Sequence, residues 1–352
     1  MTTAPVTTVP APPKPRGDVS AAVLDRLAGR DRRLPTRTAL ARSDPYGDDL
    51  QLALYALYEL HYRGFEGVAE DLEWDPDLLR VRAALEETFL TALRDDAPSG
   101  GSADEALAEL LDERPGDRSG SSHFLLRHGE LWQLREYAAL RSLYHLKEAD
   151  PQLWVVPRLY GRAKAGMVAV EYDEFGAGHA DRVHARLYAD LLDDLQLSSR
   201  YGAYLDAAPP EMLAVVTMMS LFGLHRAHRG ALVGHFAAVE VTSSPASARL
   251  ADALRRCGAG PAAQHFYDEH VEADAVHEQL VRHEVVAGLL AEEPALEDDV
   301  VLGIRATSLL EDRLTTHLLD SWNNGHSALR PVRAGDRLPR GLPAREDETK
   351  TE

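Results

Sequence analysis

The sequence predicts an all-α protein, and three observations lead to that expectation. Apolar residues recur three and four positions apart over long segments, such as residues 50–63 and 76–93. The alternating pattern of a β-strand and the self-similarity of an internal repeat are both missing from the sequence. With 352 residues, 45% of them apolar, the chain can bury a substantial core. We therefore expect a bundle of helices.

Composition divides the chain into four parts. Residues 1–17 are rich in Pro, Thr and Ala and predict a disordered tail, and residues 18–47 predict an extension with one short helix. Residues 48–325 form the predicted helical domain, and residues 326–352, rich in Gly, Pro and Arg, a second disordered tail. Within the domain, the main helices are expected at residues 50–63, 76–93, 131–147, 153–175 with a start or kink at Pro157, 180–195, 210–241, 246–257, 261–290 and 297–322.

Local signals set several of the predicted helix ends. Asp75 can cap the helix that begins at Pro76. Proline has no backbone N–H, but at the first helical position that group would have no partner within the helix. The sequence Gly-Ala-Gly at residues 176–178 interrupts a helical pattern, at about 1 kcal/mol for each glycine. Residues 242–245, Thr-Ser-Ser-Pro, are expected to stop the helix at residues 210–241.

The composition excludes several classes of protein. A net charge of −19 argues against non-specific binding to nucleic acid or to an anionic membrane. No apolar run approaches the roughly 18 residues of a membrane span, and we expect a soluble, cytoplasmic protein. The single cysteine, Cys257, excludes an internal disulfide, a thiolate zinc site and a self-contained iron–sulfur cluster. Any metal site must therefore use histidine and carboxylate ligands.

Three metal-binding side chains share one edge of a predicted helix. On a helix with 3.6 residues per turn, His270, Asp274 and His277 lie at about 0°, 40° and 340° around the axis. Small apolar residues between them indicate a packed helix, so the polar edge needs partners. The same spacing also fits a solvated acidic face with scattered histidines, and this stretch alone does not decide between the two interpretations.

Two other stretches offer the remaining ligands. Glu174 and His184 lie on either side of the glycine-rich break, which could bend the chain so that both side chains reach one point. Glu240 ends an apolar run, where a lone acid is usually paired or bound to a metal. With Asp274 the set has three carboxylates, so two Fe(II) or Mn(II) ions would leave one positive charge for an anionic ligand. The nitrogen and oxygen ligands favour iron or manganese over softer metals.

The same residues also allow other interpretations. Asp181 with His184, and Asp274 with His277, have the spacing of ligand pairs in ferritin-like bundles. That architecture needs separate helices for Glu174 and Asp181, which are only seven residues apart. His235 lies about 140° around the helix from Glu240 and cannot share its target.

A basic group precedes Glu174 in this acidic chain. Arg141, Lys147, Arg158 and Lys164 can form surface ion pairs with acids such as Glu148. In the alternative interpretation, Arg158 or Lys164 anchors a substrate carboxylate, for which arginine is well suited.

Together these motifs resemble the haem-oxygenase-like di-iron oxidases and oxygenases, also described as iron-containing redox enzymes. The resemblance rests on DEFGAG at residues 173–178, AAVEVTSSP at residues 237–245 and FYDEHVEADAVHE at residues 266–278, and extends over most of residues 48–325. It implies a haem-oxygenase-like helical bundle whose iron ligands are Glu174, His184, Glu240, His270, Asp274 and His277. His179, within the glycine-rich stretch, has no counterpart in that pattern.

The resemblance implies an O2-dependent non-haem di-iron oxidoreductase with two Fe(II) ions, or with Mn as the alternative. Its substrate would be a small metabolite with a carboxylate or amine, and the reaction N-oxygenation or oxidative C–C or C–H cleavage. No flavin or nicotinamide motif is present, so electrons would come from the substrate, a small reductant or a separate protein. A homodimer is compatible with the sequence. One alternative is a metal-free substrate-binding or hydrolytic protein on the same fold, and another is an iron-storage or partner-binding helical protein.

Overall fold

A computed structural model describes residues 9–111 and 120–331, and these residues contain helices and no strand. The α-helices are Asp18–Leu27 (α1), Arg37–Leu40 (α2), Asp48–Glu59 (α3), Pro76–Asp96 (α4), Ala103–Leu111 (α5), Ser121–Arg127 (α6), Leu131–His145 (α7), Asp150–Leu153 (α8), Gly161–Glu174 (α9), His184–Asp194 (α10), Pro210–Leu224 (α11), Arg229–Arg256 (α12), Pro261–Leu280 (α13), Ala287–Glu292 (α14) and Glu297–Asn323 (α15). The expected all-α class is confirmed. Among the described helices, none has both the length and the apolar composition needed to cross a bilayer.

The long helix α12 packs against both α13 and α15. Gly234 of α12 and Gly303 of α15 allow that close approach, because a Cβ on either would overlap the backbone of the other helix. Helix α10 also packs against α13, and α3 packs against α1 and α11. The arrangement brings α9, α10, α12 and α13, which contain the predicted ligands, into one bundle.

The long helix expected at residues 210–241 ends earlier and restarts. Helix α11 stops at Leu224, a 3₁₀ turn covers Arg226–His228, and α12 then continues through Pro245 to Arg256. The predicted stop at residues 242–245 is therefore wrong. An interior proline costs about 3 kcal/mol, but Leu250 and Leu254, beyond it, are 4% and 1% exposed. Burial of this second half against the neighbouring helices outweighs the local cost.

The helix expected at residues 261–290 contains a π-helical segment, Val281–Val286, between α13 and α14. The segment packs against α9, with Val281 and Val285 fully buried. A Cβ at Gly166 of α9 would lie 3.0 Å from Val285 Cγ2, so only glycine permits this contact without a shift. Sequence periodicity does not predict this segment, because its backbone hydrogen bonds join residues five apart and those of an α-helix join residues four apart, a difference of one residue.

Residues 9–17 lie against the helical domain instead of forming the expected disordered tail. The backbone N–H of Glu66 donates to the Pro10 carbonyl at 2.8 Å, and the Arg16 side chain binds Asp48 Oδ1 at 2.9 Å. At the other end, Arg330 Nε donates to Asp48 Oδ2 at 2.9 Å, so residues up to 331 are also held. Asp48 thus anchors both terminal segments; the rest of the two predicted tails lies outside the described residues.

Candidate metal centre

Two groups of potential ligand atoms converge in the bundle. In each group, one atom from every side chain lies within 4.8 Å of the others, and all the residues are buried. The first group contains Glu148, Glu174, His184 and His270; the second contains Glu174, Glu240, Asp274 and His277. All six residues selected from the sequence are brought together, and Glu174 belongs to both groups. This is the arrangement expected for two adjacent metal ions that share a bridging carboxylate.

The break between α9 and α10 places the first two ligands. Glu174 is the last residue of α9 and His184 the first of α10, and His184 Nδ1 lies 2.7 Å from Glu174 Oε2. Between them Gly176 has φ of +75°, and a Cβ there would lie 2.7 Å from the backbone nitrogen of Val183. The glycine therefore allows the tight reversal that a straight helix could not provide.

The ligands on α13 lie along its buried edge. His270, Asp274 and His277 are 5%, 2% and 1% exposed, whereas Glu272 and Val276 on the same helix face solvent. This alternation follows directly from the helical period and excludes the interpretation of a solvated acidic face.

Hydrogen bonds determine which ring nitrogen of His270 and of His277 is free to bind a metal. His270 Nδ1 lies 2.7 Å from the carbonyl oxygen of Phe266, so Nδ1–H donates to it and Nε2 keeps a free lone pair. His277 Nε2 lies 3.3 Å from Asp173 Oδ2, so Nε2–H donates and Nδ1 is the free nitrogen. These two free nitrogens belong to the two groups of ligand atoms, one to each. Such bonds commonly orient metal-binding histidines.

Buried ligand atoms in both groups have no hydrogen-bond partner within residues 9–111 and 120–331. These atoms are Oε2 of Glu148 and of Glu240, Oδ2 of Asp274, Nδ1 of His184 and of His277, and Nε2 of His270. A buried polar atom left unpaired costs about 1–3 kcal/mol. Because these lone pairs converge without a hydrogen-bond partner among the described residues, the residues fit a pair of metal ions.

The carboxylates of the site also need positive charge to neutralise them. Burial alone would lower the pKa of His270, but neighbouring carboxylates, chiefly Glu148, raise it to about 10. Burial and nearby carboxylates raise the pKa of Glu240 to about 8. Protons or metal ions must therefore neutralise the cluster. Two divalent ions would do so in full, because Glu148 brings the carboxylates among the candidate ligands to four.

Glu148 is a candidate ligand that the sequence alone does not identify. From the sequence it was an acid available for a surface ion pair, but it is 6% exposed, and its Oε1 lies 2.9 Å from His145 Nδ1. Burial would raise the pKa of Glu148, yet His145 and His270 hold it well below its usual range. Glu148 lies beyond the end of α7, where helical spacing gives no information. Its one sequence signal is the three-residue spacing from His145.

Glu171, one turn before Glu174, is a further buried acid. It is 3% exposed, and neither carboxyl oxygen has a hydrogen-bond partner among the described residues. Burial, together with the charges of Glu174 and Glu240, raises the pKa of Glu171 to about 9. Where no metal ion offsets those charges, its carboxyl group keeps its proton at neutral pH.

The two basic residues predicted to hold substrate do not reach this site. Arg158 Nη2 donates to the carbonyl oxygen of Leu224 at 2.9 Å, at the end of α11. Lys164 is half-buried, with Nζ 5.9 Å from the ring centre of Tyr160. His179 is exposed, with its backbone N–H bonded to the Gly176 carbonyl.

A cavity of about 510 Å³ adjoins the first group of ligand atoms, and Glu148 and His270 form part of its wall. Residues of α7, α12, α13 and α15 form most of its other walls, and α5, α6 and α11 also contribute. The volume is within the range of small-molecule sites, roughly 300–1,000 Å³. A substrate in this cavity would lie beside the candidate metal ligands.

The comparisons with known proteins agree with this geometry. A family model described as "iron-containing redox enzyme" matches residues 135–312, just over half of the chain, and the matched region includes every candidate ligand named above. No curated protein matches the chain at a significant level. With its all-α, haem-oxygenase-like fold, the chain belongs to the iron-containing redox enzyme family.

Proposed function

We propose that this protein is an O2-dependent non-haem di-iron oxidoreductase that acts on a small carboxylate- or amine-bearing metabolite. The observation that supports it is the pair of buried ligand groups that share Glu174. Two Fe(II) ions bound there would supply the electrons and the binding site that O2 activation requires. Electrons for further turnovers would come from the substrate, a small reductant or a separate protein.

The protein's own residues would position the metals and control protons. Glu174 would bridge the ions, with Glu148, His184 and His270 completing one side. On the other side, Glu240, Asp274 and His277 would complete the second. The neighbouring side chains also exclude bulk water, because every one of these residues is buried.

Two residues close to the ligands would serve supporting roles. Asp173 accepts from His277 Nε2 and keeps Nδ1 available for metal. Glu171 is buried beside Glu174, and burial is the largest cause that raises its pKa, so it would be a source of one proton at its carboxyl group. The outcome would be oxygenation of nitrogen, or oxidative C–C or C–H cleavage, depending on the substrate.

The metal-free alternative is less well supported. In a metal-free protein of this kind Glu240 and His277 need not face each other, but Glu240 Oε2 lies 3.3 Å from His277 Nδ1. The decisive experiment is an anaerobic titration of the apoprotein with Fe(II), followed by exposure to O2. We expect two ions per chain, O2 uptake and a transient visible absorption band. If the intact protein bound no iron and consumed no O2, the proposal would be wrong.

A further inference from the structure

The turn that contains Glu148 lies between two helices. Helix α7 ends at His145 and α8 begins at Asp150, so residues 146–149 lie outside both. The backbone N–H of Asp150 donates to the Lys147 carbonyl at 2.9 Å, which closes the turn around Glu148. A metal ligand on such a turn needs support from elsewhere, because the affinity of a metal site depends on the groups that hold its ligands in place.

That support comes from α3, through Lys147. The interpretation of Lys147 as a surface residue is wrong, because its side chain is 2% exposed. Lys147 Nζ donates to Glu59 Oε2 at 3.2 Å, and Glu59 is the last residue of α3. The ammonium group also lies over two aromatic rings, 5.0 Å from the ring centre of Tyr55 and 4.4 Å from that of Tyr62. A cation over a ring face is attracted to it, so these contacts hold the Lys147 side chain in one place.

Other contacts make the attachment to α3 rigid. The Tyr201 hydroxyl lies 2.8 Å from each carboxyl oxygen of Glu59, to which it donates. Arg63, in the turn after α3, donates from Nη2 to the Leu146 carbonyl at 3.1 Å, and its guanidinium group lies 4.1 Å from the ring centre of Tyr201. The two residues that precede Glu148 are thus both tied to α3 and the turn after it.

A buried ion pair is weak evidence for stability alone, because the attraction of the two charges does not always offset the free energy of removing them from water. In some proteins such a pair instead fixes one arrangement of the chain. Here the pair ends one residue from a candidate ligand. His145 holds the carboxyl group of Glu148, with Nδ1 2.9 Å from Oε1, whereas Lys147 holds the backbone from which that side chain extends. Glu148 Oε2, which has no hydrogen-bond partner among the described residues, then lies 3.8 Å from His270 Nε2.

We propose that the ion pair of Lys147 and Glu59 positions Glu148 as a metal ligand, so that α3, which contains no candidate ligand, controls how tightly the first group binds its ion. This inference rests on the proposed function, because it requires Glu148 to bind metal. Lys147 and Glu59 are positioning residues, since neither belongs to a group of ligand atoms. The second group shares only Glu174 with the first, so its affinity for metal should not depend on the pair.

The test uses the full chain in two backgrounds that each retain one ion. In Asp274→Asn the remaining ion should occupy the first group, and in Glu148→Gln it should occupy the second. Lys147→Met, which keeps a long unbranched side chain and loses the ammonium group, is added to each background. Anaerobic titration with Fe(II), followed by calorimetry, measures the affinity. We expect Lys147→Met to weaken Fe(II) binding about 10–100-fold in the Asp274→Asn background and to leave it unchanged in the Glu148→Gln background.

A double substitution separates positioning from stability. Lys147→Met alone leaves the Glu59 carboxylate buried without its cation, and the free energy of unfolding should fall. Glu59→Gln combined with Lys147→Met removes both charges, so much of that stability should return. We expect Fe(II) binding at the first group to stay weakened about 10–100-fold, because neither side chain then anchors the turn. Recovery of iron affinity together with stability would contradict the inference. If Lys147→Met does not fold, the double variant in the same two backgrounds still decides.

Glu86→Gln is the matched control. Glu86 is also a buried carboxylate, which accepts from the Tyr58 hydroxyl at 3.0 Å and pairs with Arg82 Nε at 3.3 Å. It lies on α4, which contains no candidate ligand, so Glu86→Gln should leave the Fe(II) affinity unchanged in both backgrounds. The wild type separates the two proposals. If it binds no iron, the di-iron function is wrong, whereas two bound ions, with no effect of Lys147→Met in the Asp274→Asn background, would refute only this inference.

Discussion

Replacing Asp274 by asparagine tests the candidate metal centre with little change in side-chain volume. Asp274 is 2% exposed and belongs to the second group of ligand atoms. Aspartate and asparagine have similar, modest helix propensities, so we expect α13 to form in Asp274→Asn. The change should therefore appear in metal binding and not in helix content.

The size of the effect follows from charge and coordination. With Glu148 included, four candidate carboxylates balance two Fe(II) ions, 4 − 4 = 0, whereas the six ligands chosen from sequence left a charge of +1. Asp274→Asn would leave +1 on a buried site and replace an anionic ligand with a poor neutral one. Loss of an orienting partner alone typically costs 10–100-fold in metal affinity, so loss of a ligand should cost at least about 100-fold.

The measurement is iron content after anaerobic loading, together with circular dichroism and the absorption change after mixing with O2. We expect wild-type helicity, at most one ion per chain and no transient band. Glu272→Gln, on the exposed side of the same helix, is the control and should retain two ions. Equal metal loading and equal O2 reactivity in the two variants would show that the ligand assignment on α13 is wrong.

Three further predictions follow from the structure. Glu148→Gln removes one carboxylate from the first group only, so it should retain one ion per chain by elemental analysis; retention of two would argue that Glu148 is not a ligand. Asp173→Ala removes the acceptor that orients His277, and it should weaken Fe(II) binding about 10–100-fold with unchanged helicity, whereas Asp181→Ala, at an exposed position, should not. Burial lowers the pKa of His235 from 6.5 to about 4. As the pH falls, the unfolded chain therefore binds a proton at His235 before the folded chain does. The stability that neutral His235 contributes is complete above pH 6.5 and is lost as the pH falls towards 4. That loss amounts to about 3 kcal/mol. Between pH 7.5 and 4.5, the free energy of unfolding measured with denaturant should therefore fall less steeply for His235→Gln than for the wild type. Equal pH dependence in the two proteins would refute the prediction.

Helix positions were largely predictable because their signals are local. Apolar spacing located the segments that became α4, α7 and α15, and the glycines at 176–178 located a real reversal. The errors came where packing overrides local preference. Pro245 lies inside α12 because the residues after it are buried, and the π-helical segment forms because it packs against α9. Neither effect can be read from neighbours in sequence.

The sequence by itself determined the ligand types and the edge on which three of them lie. His270, Asp274 and His277 share one face of any helix with 3.6 residues per turn, so no tertiary information was needed to group them. The absence of a second cysteine likewise limited any metal site to nitrogen and oxygen ligands.

Only the tertiary structure decided which distant residues join that edge. It brought Glu148 into the site from beyond the end of a helix, made Glu174 common to both ligand groups and paired Lys147 with Glu59 across 88 residues of chain. These contacts depend on how helices approach one another in space. Spacing along a sequence reports the geometry within one helix, whereas the relative placement of two helices depends on the packing of the whole core.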